Sequence, residues 1–306
     1  MTSRMKSFLG GAAVATLLIV PAAADTNWLT LPQKSFGGNS VKVEDLVGSL
    51  IVNVKDSGPI TVDVSGVKER VNALEISNHD GRVVIEGSNE GQKVWDWHSW
   101  LDFSVHDHAK PSNLTVKIMV PKGTELNVED LVGDANIGDT QGPLHFEAAA
   151  TRAKIGKVSK ASVSMDGSGR VDIAEVAGPL DLDIAGSGKV TVGRTAKVHA
   201  DIAGAGDAAL GAVAGGLDLD IAGSGDVSAE SVNGPVSVDI AGSGSVKIAT
   251  GTANPLHVDI MGSGNFTFGG EAVDPHISAL GSGSVKLKSY RGKLSSDGMA
   301  NVRIGE

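Results

Sequence analysis

The hexapeptide "DIAGSG" at residues 183–188 recurs with little change along the second half of the chain. Near-copies begin at Asp201, Asp220, Asp239 and Asp259, and similar G-x-G triplets stand on either side of them. The first glycines of the triplets are Gly167, Gly186, Gly204, Gly223, Gly242, Gly262 and Gly281, at intervals of 18 to 20 residues. A fixed period near 20, with one supersecondary unit per period, is typical of a solenoid.

Apolar and polar residues alternate within each unit. In "LDLDIAGSGKVTVG", Leu180, Leu182 and Ile184 share one parity, and Val190 and Val192 resume it after the glycines. Period-two alternation predicts strands with one buried and one solvated face. No segment has a helical period, so strands that recur about every 19 residues can pair only by coiling. The sequence therefore predicts an all-β fold, a single-stranded parallel β-helix, right-handed by the general crossover preference.

The repeat also predicts which residues stack inside the coil. One interior column lies two positions before each first glycine and comprises Met165, Ile184, Ile202, Ile221, Ile240, Ile260 and Ala279. A second lies four positions after it and comprises Val171, Val190, Ala208, Val227, Val246, Phe266 and Val285. The glycines are expected at corners with positive φ, where a side chain would clash.

The acidic residue of each unit forms a column of its own, three positions before the glycine. The column reads Ser164, Asp183, Asp201, Asp220, Asp239, Asp259 and Ser278. Carboxylates one rung apart, about 4.8 Å, repel by about 0.9 kcal/mol in water. Calcium sites would relieve this repulsion, and so would hydrogen bonds from backbone amides of the corner. Serine can replace aspartate as a local acceptor but is a poor calcium ligand, so we favour a structural role in capping the corner.

Three segments are expected along the chain. Residues 1–24 have a basic start, an apolar run and a small-residue cleavage site, which is the layout of a secretory signal peptide. Residues 25–120 are rich in strands but less periodic, and residues 121–306 form the regular coil with its C-terminal cap. The predicted location is therefore outside the inner membrane, in the periplasm, secreted or at the cell surface.

Composition excludes several classes of function. Without Arg4 and Lys6 of the signal, the chain carries 24 basic and 36 acidic residues, which argues against nucleic acid or anionic lipid as a partner. The absence of cysteine excludes disulfides, thiolate zinc sites and a cysteine nucleophile. No segment after the signal is long and apolar enough to span a membrane. No cofactor is expected, and the oligomeric state stays open.

Residues 94–108, "VWDWHSWLDFSVHDH", interrupt the pattern with three tryptophans and three histidines. The rings of Trp95, Trp97 and Trp100 could stack on sugars. The imidazoles of His98, His106 and His108 could join the same ligand patch or bind zinc. The alternative is an apolar cap for one end or flank of the coil, which every solenoid needs.

Two further histidines, His257 and His276, fall in one column a rung apart, five positions before their glycines. The other positions of this column are polar and variable, which is typical of a solvated face. A metal site made of the two imidazoles is the alternative.

Repeated D-I-A-G-S-G units on a glycine-rich, exported chain built of strands resemble the head GIN domain family, bacterial proteins described as auto-transporter adhesins. The similarity covers roughly residues 40–290 and is strongest from 160 to 285. It implies an exported, adhesion-type β-helix and transfers no catalytic residue to this chain.

The sequence favours a non-catalytic envelope or adhesion-type protein that binds a surface polysaccharide or a cell-surface protein. The competing hypothesis is a polysaccharide lyase or glycosidase, since β-helices often carry such enzymes. That chemistry needs paired acids that stand out from the repeat. The acids of this chain follow the repeat instead, and fold analogy alone does not establish activity.

Overall fold

The fold is a β-solenoid of about nine turns with about 19 residues per turn. The structure is a computed structural model and describes residues 27–87, 113–298 and 301–305. The predicted β-helix is confirmed. The elements are β1 (Trp28–Thr30), β2 (Lys34–Phe36), β3 (Ser40–Glu44), β4 (Val47–Lys55), β5 (Ile60–Val67), α1 (Lys68–Asn72), β6 (Leu74–His79), β7 (Arg82–Gly87), β8 (Leu114–Pro121), β9 (Glu125–Ile137), β10 (Pro143–Val158), β11 (Lys160–Gly167), β12 (Arg170–Gly186), β13 (Lys189–Gly204), β14 (Asp207–Val213), β15 (Leu217–Gly223), β16 (Asp226–Gly242), β17 (Ser245–Gly262), β18 (Asn265–Val273), β19 (His276–Gly281), β20 (Ser284–Arg291), β21 (Ser295–Gly298) and β22 (Asn301–Ile304).

Each turn contributes to two parallel ladders, which we call sheet A and sheet B. Sheet A contains the stretch before each glycine corner, and its later strands are β11, the second halves of β12 and β13, then β15 and the second halves of β16 and β17. Sheet B contains the stretch after each corner, through the first halves of β12 and β13, then β14 and the first halves of β16 and β17. Each turn has a second corner besides the glycine corner, and at it the long strands such as β12 and β13 pass from sheet B into sheet A.

The core is a set of in-register columns between the two sheets. Ile184, Ile202 and Ile221 pair on successive rungs of sheet A, and each is at most 2% exposed. Val190 pairs with Ala208 on sheet B in the same way. Both predicted interior columns are confirmed along their whole length. Since consecutive rungs pack like side chains on like side chains, a core of small and β-branched residues closes without many aromatics.

The corner glycines lie where neighbouring rungs approach most closely. The seven first glycines of the triplets have φ between +114° and +141°. A Cβ atom on any of them would lie 2.2–2.6 Å from a carbonyl oxygen of the preceding rung. No other residue fits such a corner without displacing the backbone.

The N-terminal end of the coil is built differently. The strands β3 and β4 stack directly on β9, with Val43 opposite Val128 and Leu50 opposite Ala135. Beyond them β5 runs antiparallel to β8, and β1 and β2 run antiparallel to β5. The single-turn helix α1 packs against this group and buries Val71. Antiparallel strands and a short helix thus close this end of the core.

Candidate functional site

The outer surface of sheet A carries three columns of side chains, and we call this surface the acidic face. The histidine column comprises Ser162, Asp181, His199, Asp218, Ser237, His257 and His276; the aspartate column comprises Ser164, Asp183, Asp201, Asp220, Asp239, Asp259 and Ser278; the alanine column comprises Asp166, Ala185, Ala203, Ala222, Ala241, Met261 and Leu280. None of these positions holds a lysine or an arginine. The face therefore combines a row of carboxylates with an apolar stripe that ends in two exposed large side chains, Met261 and Leu280.

The aspartate column concentrates negative charge. Partial burial raises the pKa of Asp183, Asp220 and Asp239, and the nearest carboxylate of the column raises each further: Asp201, Asp239 and Asp259 respectively. Because both causes penalise the charged form, the column stores repulsion at neutral pH. A cationic or hydrogen-bond-donating partner would relieve that repulsion.

The hydrogen bonds of the corners differ from the expected capping by aspartate. From Gly186 onward, the amide that follows the first glycine of a corner donates to the carbonyl oxygen of the first glycine on the preceding rung, as from Ser224 to Gly204 at 2.7 Å and from Ser243 to Gly223 at 2.8 Å. Among the hydrogen bonds of the described residues, the five aspartates accept none from a corner amide. The acceptor of the corner amide is therefore the glycine carbonyl of the preceding rung and not the carboxylate.

The histidines of the acidic face lie close to its carboxylates. His199 lies 3.3 Å from Asp218 and 3.6 Å from Asp201, each measured from a ring nitrogen to Oδ2. His257 Nε2 lies 2.9 Å from Asp259 Oδ2. The rings of His257 and His276 stack with centroids 5.0 Å apart and planes only 1° from parallel. Register alone predicted that these two residues are neighbours, whereas their stacking depends on side-chain torsions.

Sheet B carries a shallow depression on its outer surface. It has a volume of about 590 Å³, and its lining includes Gly193, Gly211, Arg194, Glu230 and Lys247. A smaller depression of about 260 Å³ shares Lys247 and lies beside it. Glycine and alanine residues form the floor of the depression, because they have no side chain or only a methyl group to fill it. Glu230 is the one carboxylate in the larger lining, so this groove has no acid pair for glycoside cleavage.

The sequence-based ligand patch of Trp95, Trp97, Trp100, His98, His106 and His108 lies outside the described residues, and it stays a prediction. Within the described ranges, no three histidine, aspartate or glutamate side chains converge as they would around a metal ion. The aspartates and glycines of the repeat occupy the positions that the register predicts for them.

A family model described as "Putative auto-transporter adhesin, head GIN domain" matches residues 41–228 and 217–293. The chain belongs to this family. The match runs from the first rung to the last complete turns of the GIN-domain coil, so the acidic face lies within it. The family description is that of an adhesin and not of an enzyme, and it makes the chain an exported or cell-surface, adhesion-type protein.

Solved structures with a similar course of the chain have low sequence identity to the GIN-domain chain. A "putative adhesin" from Parabacteroides distasonis is 16% identical, with 90% of this chain and 98% of that chain covered and a TM-score of 0.39. One from Bacteroides fragilis is 16% identical, with 89% and 97% covered and a TM-score of 0.37. A "putative lipid binding protein" from Parabacteroides distasonis is 15% identical, with 92% and 97% covered and a TM-score of 0.39.

The search of curated proteins found no match to the GIN-domain chain. In the ranges that the structure describes, no helix has the length and apolar content needed to cross a bilayer.

Proposed function

We propose that this protein is an exported, non-catalytic adhesion module that binds a surface polysaccharide across the acidic face. The observation that carries the proposal is the aspartate column, five like charges on consecutive rungs with no basic residue among them. The fold does not need these carboxylates, because the corner amides have other acceptors. Their repetition therefore is a property of the surface and points to a partner that contacts several rungs at once.

The geometry of the face suits an extended polymer. Carboxylates about 4.8 Å apart form a straight row of hydrogen-bond acceptors along the coil axis. Hydroxyl or amino groups of successive sugars can donate to such a row, and amino groups would also neutralise its charge. The neighbouring alanine column adds an apolar strip on which the less polar faces of sugar rings can lie.

The decisive experiment compares two variants with equal changes in charge. Asp201→Asn/Asp220→Asn/Asp239→Asn neutralises three carboxylates of the acidic face, and Asp172→Asn/Asp207→Asn/Asp226→Asn neutralises three on sheet B. Binding to a panel of bacterial and host polysaccharides is measured, with circular dichroism as the folding control. We expect the first variant to lose binding and the second to keep it. Equal loss in both would show that overall charge, and not the acidic face, governs binding.

The same panel tests the segment of residues 94–108 and the enzyme hypothesis. A folded Trp95→Ala/Trp97→Ala/Trp100→Ala variant that loses binding would extend the contact to that segment, as its aromatic side chains suggest. Reducing-end or unsaturated products that accumulate during incubation would overturn the non-catalytic assignment.

Export with removal of residues 1–24 is part of the proposal. Mass spectrometry of the protein recovered from outside the cytoplasm should give a chain that begins at or near Asp25. A mass that retains Met1 would contradict cleavage.

A further inference from the structure

We propose that His257 and His276 form a binding site for a divalent transition-metal ion and that the site binds Cu²⁺ most tightly. The two residues are paired across adjacent strands of sheet A, and their rings already lie parallel at 5.0 Å. Imidazole is a common protein ligand for copper, nickel and zinc. The site lies at the C-terminal end of the acidic face, but its test uses the metal ion alone, so its failure and the failure of polysaccharide binding can be told apart.

Asp259 prepares one of the two imidazoles for metal binding. With the proton on Nε2, His257 donates to Asp259 Oδ2 at 2.9 Å, and its Nδ1 presents a lone pair. A carboxylate behind a ligating histidine is the usual arrangement at protein metal sites, where it fixes the ring and increases its basicity. The aspartate column adds negative potential along the same side of the rings, which concentrates cations near them.

The distance between the rings fits a site that closes on the metal. Two imidazole nitrogens bound to one ion at about 2.0–2.1 Å lie at most about 4.2 Å apart. Stacked rings with centroids 5.0 Å apart reach that distance by a modest rotation about their side-chain bonds. Because Asp259 holds the ring of His257, the rotation is that of His276, which is only half-buried.

The surroundings of the pair decide which metal it prefers. The next residues in the histidine column are Ser237 on one side and Ser295 on the other. With no third convergent donor among the described residues, water must complete the coordination. A structural zinc site needs four protein ligands, whereas the order of divalent affinities for nitrogen donors peaks at Cu²⁺.

His199 provides an internal control. It stands in the same column, but its rung neighbours are Asp181 and Asp218. It therefore offers one imidazole among carboxylates, where His257 and His276 offer two together.

The test is titration of the tag-free protein with CuSO₄, followed by calorimetry and by electron paramagnetic resonance. We expect one Cu²⁺ per chain with two nitrogen ligands in the spectrum. His276→Asn and His257→Asn should each weaken binding by more than the about 10–100-fold loss that removal of a partner such as Asp259 causes. His199→Asn should bind Cu²⁺ as the unchanged protein does.

The histidines of residues 94–108 are the competing location for a metal. Unchanged affinity in His276→Asn would overturn the proposal. So would loss of the ion in a His106→Asn/His108→Asn variant that keeps His257 and His276. Circular dichroism without metal checks that every variant is folded.

Discussion

The outer faces of sheets A and B rest on the same core and the same rung spacing, yet their side chains follow different rules. On sheet A, five consecutive rungs repeat an aspartate at one position. On sheet B, one outward column runs through Arg152, Arg170, Lys189, Asp207 and Asp226, and Lys189 lies 3.9 Å from Asp207. A β-solenoid therefore tolerates either surface.

The difference separates two causes of repetition. Interior columns repeat on both sheets, since stacked rungs need residues that fill the same space. On the outer surface of the described residues, a column of five like charges on consecutive rungs occurs on sheet A, against electrostatic repulsion, whereas the charged column of sheet B changes sign between Lys189 and Asp207. The aspartate repeat lowers stability and is not needed to build a sheet of this solenoid. We therefore assign it to the properties of the outer surface of sheet A.

The largest expected effect concerns the corner that joins the two faces. Gly223 has φ +136°, and a Cβ there would lie 2.2 Å from the Gly204 oxygen. We expect Gly223→Ala to lower the free energy of unfolding by about 3 kcal/mol or more, measured by urea denaturation. Gly123→Ala is the control, because its φ is +83° but nothing lies within 4 Å of the added Cβ. That variant should lose about 1 kcal/mol. Equal losses would mean that contact between rungs does not fix the corner.

A second prediction compares one neutralised carboxylate on each face. Asp220→Asn should raise the free energy of unfolding by about 0.5–1 kcal/mol at low salt, because it removes repulsion from Asp201 and Asp239. Asp172→Asn on sheet B should lower it by a few tenths of a kcal/mol, since Asp172 is opposite Lys154. The measurement is urea denaturation at low and high salt, and both effects should shrink as salt is added. The same sign for both variants would remove the electrostatic distinction between the faces.

The smallest expected effect is a dependence on pH. Asp183, Asp220 and Asp239 have raised pKa values in the folded chain. The folded state therefore binds protons more readily than the unfolded state, and stability rises as pH falls from neutrality through the folded pKa values. We expect the melting temperature at low salt to be slightly higher at pH 5 than at pH 7. In Asp183→Asn/Asp220→Asn/Asp239→Asn this gain should vanish; its persistence would assign the gain to other groups.

The interior columns and the corners could be predicted because the same residue types recur at the same position of every period. Ile221 has Ile202 and Ile240 as neighbours in the alignment of the repeat and in space. The N-terminal closure could not be predicted in this way. The segment that forms α1 has neither a capping side chain at its N-terminus nor a helical period. The antiparallel pairing of β5 and β8 joins segments that are not related by the repeat of the sequence.

At the candidate site, the sequence located the columns but not their contacts. The alignment placed His257 beside His276 and Asp259 in the adjacent column. Their stacking and the 2.9 Å contact to Asp259 depend on rotamers, which a one-dimensional pattern does not specify. The acceptor of the corner amides was missed for a related reason: the competing oxygen belongs to the preceding rung and is invisible within one repeat unit.

The stacking of β3 and β4 on β9 also sets an order of assembly. Residues 40–55 form a rung early in the chain, yet the rung that they cover is completed only at Ile137. Later turns pair with neighbours about 19 residues away, so their loops close at a lower entropic cost. As the chain is synthesised from its N-terminus, β3 and β4 can pair on one edge with β7 and β8, but their other edge stays unpaired until β9 follows. We expect amide hydrogen exchange during refolding to protect the turns around β15 and β16 before β3 and β4. The first residues to emerge would thus be among the last to be held in place.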